Sequence, residues 1–181
     1  GSEMCIRDRP KERAKGSRGL YQLSDNFFRF WYSFVFPYRS ELERGDVEGV
    51  YERHIKPVLH DFAGKPFEGL CREWMWRESA AGRLPFRARA VGRWWDRQDE
   101  IDVMAVDNAS DAAIVGECKF RNAPVDRSVL NLLRDRAART GIGQRTYLLF
   151  SLGGFDQSLV DDAAASQSDV QLVGIDELFH E

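Results

Sequence analysis

The sequence predicts an α/β fold: an αβββαβ core with a mixed central sheet flanked by helices, preceded by an N-terminal helical segment. Three observations predict it. Apolar residues recur at helical spacing through residues 27–35 and again through 67–75. Three strand-like runs then follow one another between residues 86 and 120 with short turns between them. Beyond them a helix-like stretch separates two further apolar runs, the pattern of a βαβ crossover.

Residues 1–18 are polar and basic without periodicity, which reads as a flexible leader or cloning remnant. Leu20-Tyr21-Gln22-Leu23 suits a short strand, and Ser24 a helix N-cap. Phe27, Phe30, Trp31, Phe34 and Val35 then lie on one helix face, and Pro37 ends that helix. A second helix is predicted from Val47 to about Phe62, carrying Val50, Tyr51, Ile55, Val58, Leu59 and Phe62, with a kink or break at Pro57. Residues 19–63 thus form a helical segment, and residues 64–181 the core domain.

The third helix follows Gly64, with Pro66 in its first turn. Its stripe is Phe67, Leu70, Cys71, Trp74 and Met75, and Glu68 sits at the edge of that stripe. Strands are predicted over Phe86–Trp95, Glu100–Asp107 and Ala112–Phe120, with Asn108–Asp111 as the hairpin turn between the last two. A helix over Asp126–Thr140 is stopped by Gly141. The strand Arg145–Leu152, the short helix Phe155–Ala165, the strand Val170–Ile175 and a last helical turn from Asp176 complete the order.

Composition narrows the function classes. The chain has 181 residues, enough for a sizeable core, and 43% hydrophobic against 30% charged residues argues against wholesale disorder. The net charge of -3 averages two unlike parts: residues 1–145 carry +4, and residues 146–181 carry seven acids and no Lys or Arg. A polybasic binder is excluded; a local basic groove is not. No apolar run approaches 18 residues, so no membrane span is expected. Cys5, Cys71 and Cys118 are odd in number and form no C-x-x-C pair, which points away from disulfides and structural zinc and toward the cytoplasm.

The chemistry-bearing residues gather on two strands. Side chains alternate across a strand, so Glu117 and Lys119 share one face of the third strand. Glu100, Asp102 and Met104 share a face of the second, opposite Ile101, Val103 and Ala105. Pairing of the two strands can bring Asp102 beside Glu117 and Lys119, and Glu68 can cap the group. Carboxylates about 4 Å apart repel by roughly 4 kcal/mol at an effective dielectric near 20. One Lys offsets only part of that. Such a cluster suits a hard divalent cation, Mg²⁺ or Mn²⁺, with Asp102, Glu117 and Glu68 as ligands and Glu100 as a second-tier donor. A cation there would polarise a phosphate and acidify a water, and Lys119 would support the nucleophile. This is the machinery of phosphodiester hydrolysis.

Asp102 followed by Glu117-Cys118-Lys119 resembles the D…(D/E)-x-K motif of the PD-(D/E)xK nuclease superfamily, restriction-endonuclease-like in fold. Glu68 matches the acidic residue that many of its members carry on the helix before the sheet. More specifically, the run from Tyr21 to Val35, Gly92-Arg-Trp-Trp, Glu100-Ile-Asp-Val and Gly116-Glu-Cys-Lys are similar to the C-terminal domain of archaeal-type P-loop ATPases, a domain of unknown function. The resemblance covers about residues 20–181. It implies that an ATPase domain and a winged helix precede this region; no G-x-x-x-x-G-K-[ST] occurs in this chain. It further implies a catalytic set of Glu68, Asp102, Glu117 and Lys119.

The expected function is Mg²⁺- or Mn²⁺-dependent hydrolysis of DNA. Arg89, Arg93, Arg97 and Arg121 are candidate phosphate contacts, and Arg127, Arg134, Arg136, Arg139 and Arg145 lie further on. Trp94 and Trp95 could stack on bases, although core packing is the commoner fate of such residues. The alternative is a catalytically inactive module that binds nucleic acid or protein and regulates the ATPase.

Overall fold

The computed structural model describes residues 25–107 and 111–179. The predicted strand Leu20–Leu23, Ser24 and most of the Asn108–Asp111 turn lie outside these residues. The described chain divides into two units between Pro66 and Phe67.

In the first unit, helix α1 (Asn26–Phe30) is capped by Asp25, whose carboxylate accepts from the backbone N–H of Phe27 and Phe28. The helical path does not stay in α register. A π turn over Trp31–Val35 closes with Phe36 N–H donating to Trp31 O at 2.8 Å. Helices α2 (Arg39–Glu43) and α3 (Val47–Val50) follow, then a second π turn over Tyr51–Ile55. Each π turn ends two residues before a proline, Pro37 or Pro57. Proline has no N–H to give and its ring crowds the carbonyl four residues back. Pairing five residues apart just upstream resets which carbonyl is crowded. Phe30, Phe34 and Phe62 pack edge-on with ring centroids 5.1–6.0 Å apart. Of the predicted aromatic face, only Phe34 is buried; Phe27 and Trp31 are exposed.

Helix α4 (Lys56–Ala80) begins where the second π turn ends, so the helical run changes register just before Pro57 without stopping. It corrects one expectation. No new helix starts after Gly64, and Pro66 lies inside α4 rather than in a first turn. Its missing N–H costs one backbone bond, which the buried face beyond it, Phe67, Cys71, Trp74 and Met75, outweighs.

The second unit is a mixed α/β fold. Its five-stranded sheet has the order β1 (Ala90–Trp95), β2 (Glu100–Asp107), β3 (Ala112–Lys119), β4 (Gln144–Ser151), β5 (Val170–Gly174). The first three strands are antiparallel neighbours and the last three parallel. Residues 86–89 are irregular rather than part of the first strand. Helix α5 (Arg127–Ala138), capped by Asp126, forms the crossover from β3 to β4; α6 (Gln157–Ala163) joins β4 to β5, and α7 (Ile175–Phe179) ends the described chain.

Both sheet faces are buried. On one, Phe67, Cys71, Trp74 and Met75 of α4 pack on Val103, Ala105, Ile114, Leu148 and Phe150. On the other, Leu130, Leu133 and Ala137 of α5 pack on Ile101, Met104, Val115 and Leu149. The C-terminal turn is tied in by backbone carbonyls: Trp74 Nε1 donates to Glu177 O at 3.1 Å, and Arg77 Nη2 to Leu178 O at 3.0 Å.

Candidate functional site

The site begins where a strand ladder fails. β2 and β3 pair from Asp107↔Ala112 to Val103↔Gly116 and no further. On the other side of β2, Gly92 lies opposite Met104 but Trp94 opposite Ile101, so two residues of β2, Asp102 and Val103, face the single Arg93. This is a β-bulge, a device that re-aims side chains. It breaks the alternation expected from the sequence: Ile101 packs in the same cluster as Met104, while Val103 and Ala105 pack in the other. The alternation that put Ile101 on one face with Val103 and Ala105 therefore does not carry across the bulge. The backbone is closely approached at Gly116, where a Cβ would lie 3.1 Å from Phe150 Cε2 and 3.4 Å from Val103 O.

Asp102 occupies the place of the missing ladder bonds. Its Oδ2 accepts from the backbone N–H of Cys118 at 2.8 Å. Burial pushes its carboxyl up to about 7; repulsion from Glu117 and from Glu68 adds to this, while the Cys118 N–H and the Lys119 ammonium oppose it. Burial, and then Cys71, push the neighbouring Cys118 thiol well above the ordinary range.

Glu117 is buried at 4% exposure yet well partnered. Lys119 Nζ donates to its Oε1 at 2.7 Å, and Arg136 Nη1, from the last turn of α5, donates to Oε2 and Oε1 at 3.1 and 3.3 Å. Arg136 Nε also lies 3.6 Å from Asp99 Oδ1, and Arg139 pairs with the same Asp99. That acid is fixed by its turn, since Asp96 Oδ1 accepts from the N–H of Gln98 and of Asp99, each at 2.7 Å.

Glu68 lies on α4 with its carboxylate 3.7 Å from Arg72 Nη1 and 3.8 Å from Arg93 Nε. Arg93 also donates to Glu100, which is half-exposed. Arg89 and Arg97 are exposed, and Arg121 is half-buried. Trp94 is in the core and Trp95 is 42% exposed.

Sequence reasoning missed how Arg136 and Asp99 enter this group. The available signal was positional: Leu133 and Ala137 define the buried face of α5, and Arg136 lies beside it. The donor set is all hard oxygen and includes one carboxyl that burial, and then repulsion from Glu117, hold above its ordinary range, which is chemistry that fits a divalent cation. Among the described residues, no group of three or more His, Cys, Asp or Glu side chains is gathered closely enough to hold a metal ion as the side chains stand. No helix among them is long and apolar enough to cross a membrane.

Comparison with known proteins adds a family but no activity. The chain is 32% identical over 126 residues to an uncharacterized protein of Methanocaldococcus jannaschii; the match takes in 68% of this chain and 27% of that protein, so the chain spans about a quarter of its relative. No solved structure matches. Residues 31–138, which include Glu68, Asp102, Glu117, Lys119 and Arg136, match the family described as archaea bacterial proteins of unknown function, and the chain belongs to that family.

Proposed function

We propose that this chain is a Mg²⁺- or Mn²⁺-dependent endonuclease-like domain that hydrolyses phosphodiester bonds of DNA, on a restriction-endonuclease-like version of its mixed α/β fold. The observation that carries the reading is Asp102, a largely buried carboxylate at a broken ladder, bonded to the backbone of the Glu117-Cys118-Lys119 segment and repelled by Glu117. Glu68, Asp102 and Glu117 would hold the cation, with Glu100 as a further donor. When bound, such a cation supplies polarisation of the phosphate and a more acidic water. The remaining work belongs to the chain. The Cys118 N–H fixes the Asp102 carboxylate at the open end of β2. Lys119, 2.7 Å from Glu117, carries an ammonium able to orient an attacking water or to meet charge on the phosphoryl oxygens. Arg89, Arg93, Arg97 and Arg121 would contact the phosphate backbone.

One observation favours a second reading. Glu117 is already matched by two cations, Lys119 and Arg136, as in a structural ion-pair network. On that reading the chain is an inactive nucleic-acid- or protein-binding module. The resemblance to the C-terminal domain of archaeal-type ATPases makes a P-loop ATPase domain the proposed partner that either reading would serve, in the cytoplasm, and a relative of which the chain spans 27% leaves room for one. Incubation with supercoiled plasmid and Mn²⁺ separates the two. Nicking by the wild-type chain that is lost in both Asp102→Ala and Lys119→Ala supports hydrolysis; equal nicking by all three, or none by any, removes it.

A further inference from the structure

We propose that Arg136 is a phosphate-binding residue that rests on Glu117 until a divalent cation takes over that carboxylate. The inference deepens the nuclease reading and rests on it.

Glu117 is held by two cations. Lys119 and Arg136 both bond to its buried carboxylate, and Arg136 is shared with Asp99, 3.6 Å from its Nε. A divalent ion held by the same carboxylate would repel both. Lys119 lies on β3, two residues from Glu117, so its backbone is fixed beside that carboxylate. Arg136 comes from a different element, α5, with its side chain 24% exposed.

The way Arg136 is held also points outward. Both of its bonds to Glu117 come from Nη1, so the pair is not the two-nitrogen fork that guanidinium and carboxylate form when each is the other's natural partner. Its Nε is buried without a hydrogen-bond partner among the described residues, 3.6 Å from Asp99 at the wrong geometry to bond. A guanidinium has five N–H donors, and most of these are unspent. Asp99 would keep the released group at the open end of the sheet, because the Asp96 turn and Arg139 hold Asp99 in place. The ligand that matches a planar, permanently charged fork beside a cation-binding carboxylate is a phosphodiester phosphate.

The arrangement makes cation and polyanion binding reciprocal: each frees the site for the other. It also gives Arg136→Ala opposite effects on the two ligands, which structural damage would not produce. The experiment uses the full chain, Ca²⁺ titrated calorimetrically, and a short fluorescent DNA duplex bound with Ca²⁺ or with chelator. In the wild type, Ca²⁺ is expected to tighten duplex binding by about tenfold. Arg136→Ala is expected to keep less than about threefold of that gain while binding Ca²⁺ alone more tightly than the wild type. Arg136→Lys keeps the charge without the fork, and should bind Ca²⁺ as the wild type does with only part of the duplex gain. A full gain in both variants, or weaker Ca²⁺ binding by Arg136→Ala, overturns the proposal while leaving the nuclease reading intact. Wild-type Ca²⁺ binding that is absent, or unchanged in Asp102→Ala, overturns the nuclease reading and the proposal with it.

Discussion

The paired stretch of the β2–β3 ladder and its open end are built from the same two strands and behave in opposite ways. Along the paired stretch the backbones stay in register, and its central residues Ala105, Ile114 and Val115 are fully buried. At the Val103↔Gly116 end pairing stops, and a carboxylate takes the N–H that a strand carbonyl would have taken. The paired stretch spends its residues on burial. The open end collects Asp102, Glu117 and Lys119. A candidate site arises here from pairing withheld rather than from a cavity.

The largest effect is expected in the paired stretch. Ile114→Ala removes a fully buried side chain between α4 and the sheet, and is expected to cost about 2–5 kcal/mol in urea unfolding. Its ligand binding, measured under folding conditions, should match the wild type. A loss below about 1 kcal/mol would mean that the paired stretch is no better packed than the open end.

The next largest effect is expected at Asp102, with the opposite sign. Its carboxyl is raised from 3.8 to about 7 in the folded chain, so the folded state holds the proton more tightly than the unfolded state. Stability contributed by this group is therefore unchanged below about pH 4, falls between about pH 4 and 7, and is fully lost above about pH 7. The penalty at pH 8 is on the order of 4 kcal/mol. Asp102→Asn keeps an oxygen acceptor for the Cys118 N–H and has no charge to repel, so it should be more stable than the wild type at pH 8 and close to it at pH 4. Unfolding curves at the two pH values check this; a variant less stable than the wild type at pH 8 would show that the open end is held together by the charge itself.

The smallest effect is expected at Asp99, which anchors Arg136 and Arg139 through partly exposed ion pairs. Asp99→Ala should lower stability by about 1 kcal/mol or less. A larger loss, read as a shift in the urea midpoint, would make the Asp96–Asp99 turn a principal brace of the open end rather than an anchor for one arginine.

The parts of this molecule that were legible in the sequence are those governed by local rules. The strands of Glu100–Asp107 and Ala112–Lys119 show in their apolar content and turn residues, and α5 shows in its apolar stripe between Asp126 and Gly141. Asp102, Glu117 and Lys119 were nameable because a strand pair brings such positions together. The illegible parts depend on a partner element. Pro57 and Pro66 read as boundaries because a proline disfavours a helix locally, but the helix runs through Pro66, with its buried face from Phe67 onward packed on the sheet. The bulge at Asp102–Val103 exists only relative to β1, and no residue in β2 announces it. Arg136 and Asp99 meet Glu117 only once α5 is laid against the sheet, about which spacing along the chain is silent.

The two carbonyls that receive Trp74 and Arg77 bear on how this family should be cut for study. The family match stops at residue 138, at the end of α5, before β4, β5 and α7. Yet Leu148 and Phe150 complete the face that α4 packs on, and Glu177 O takes the Trp74 indole N–H. A fragment trimmed to the matched residues would keep every carboxylate of the candidate site and lose two of the five strands beneath it. The region that similarity recognises is thus smaller than the region that folds, and the second is the unit to carry into experiments.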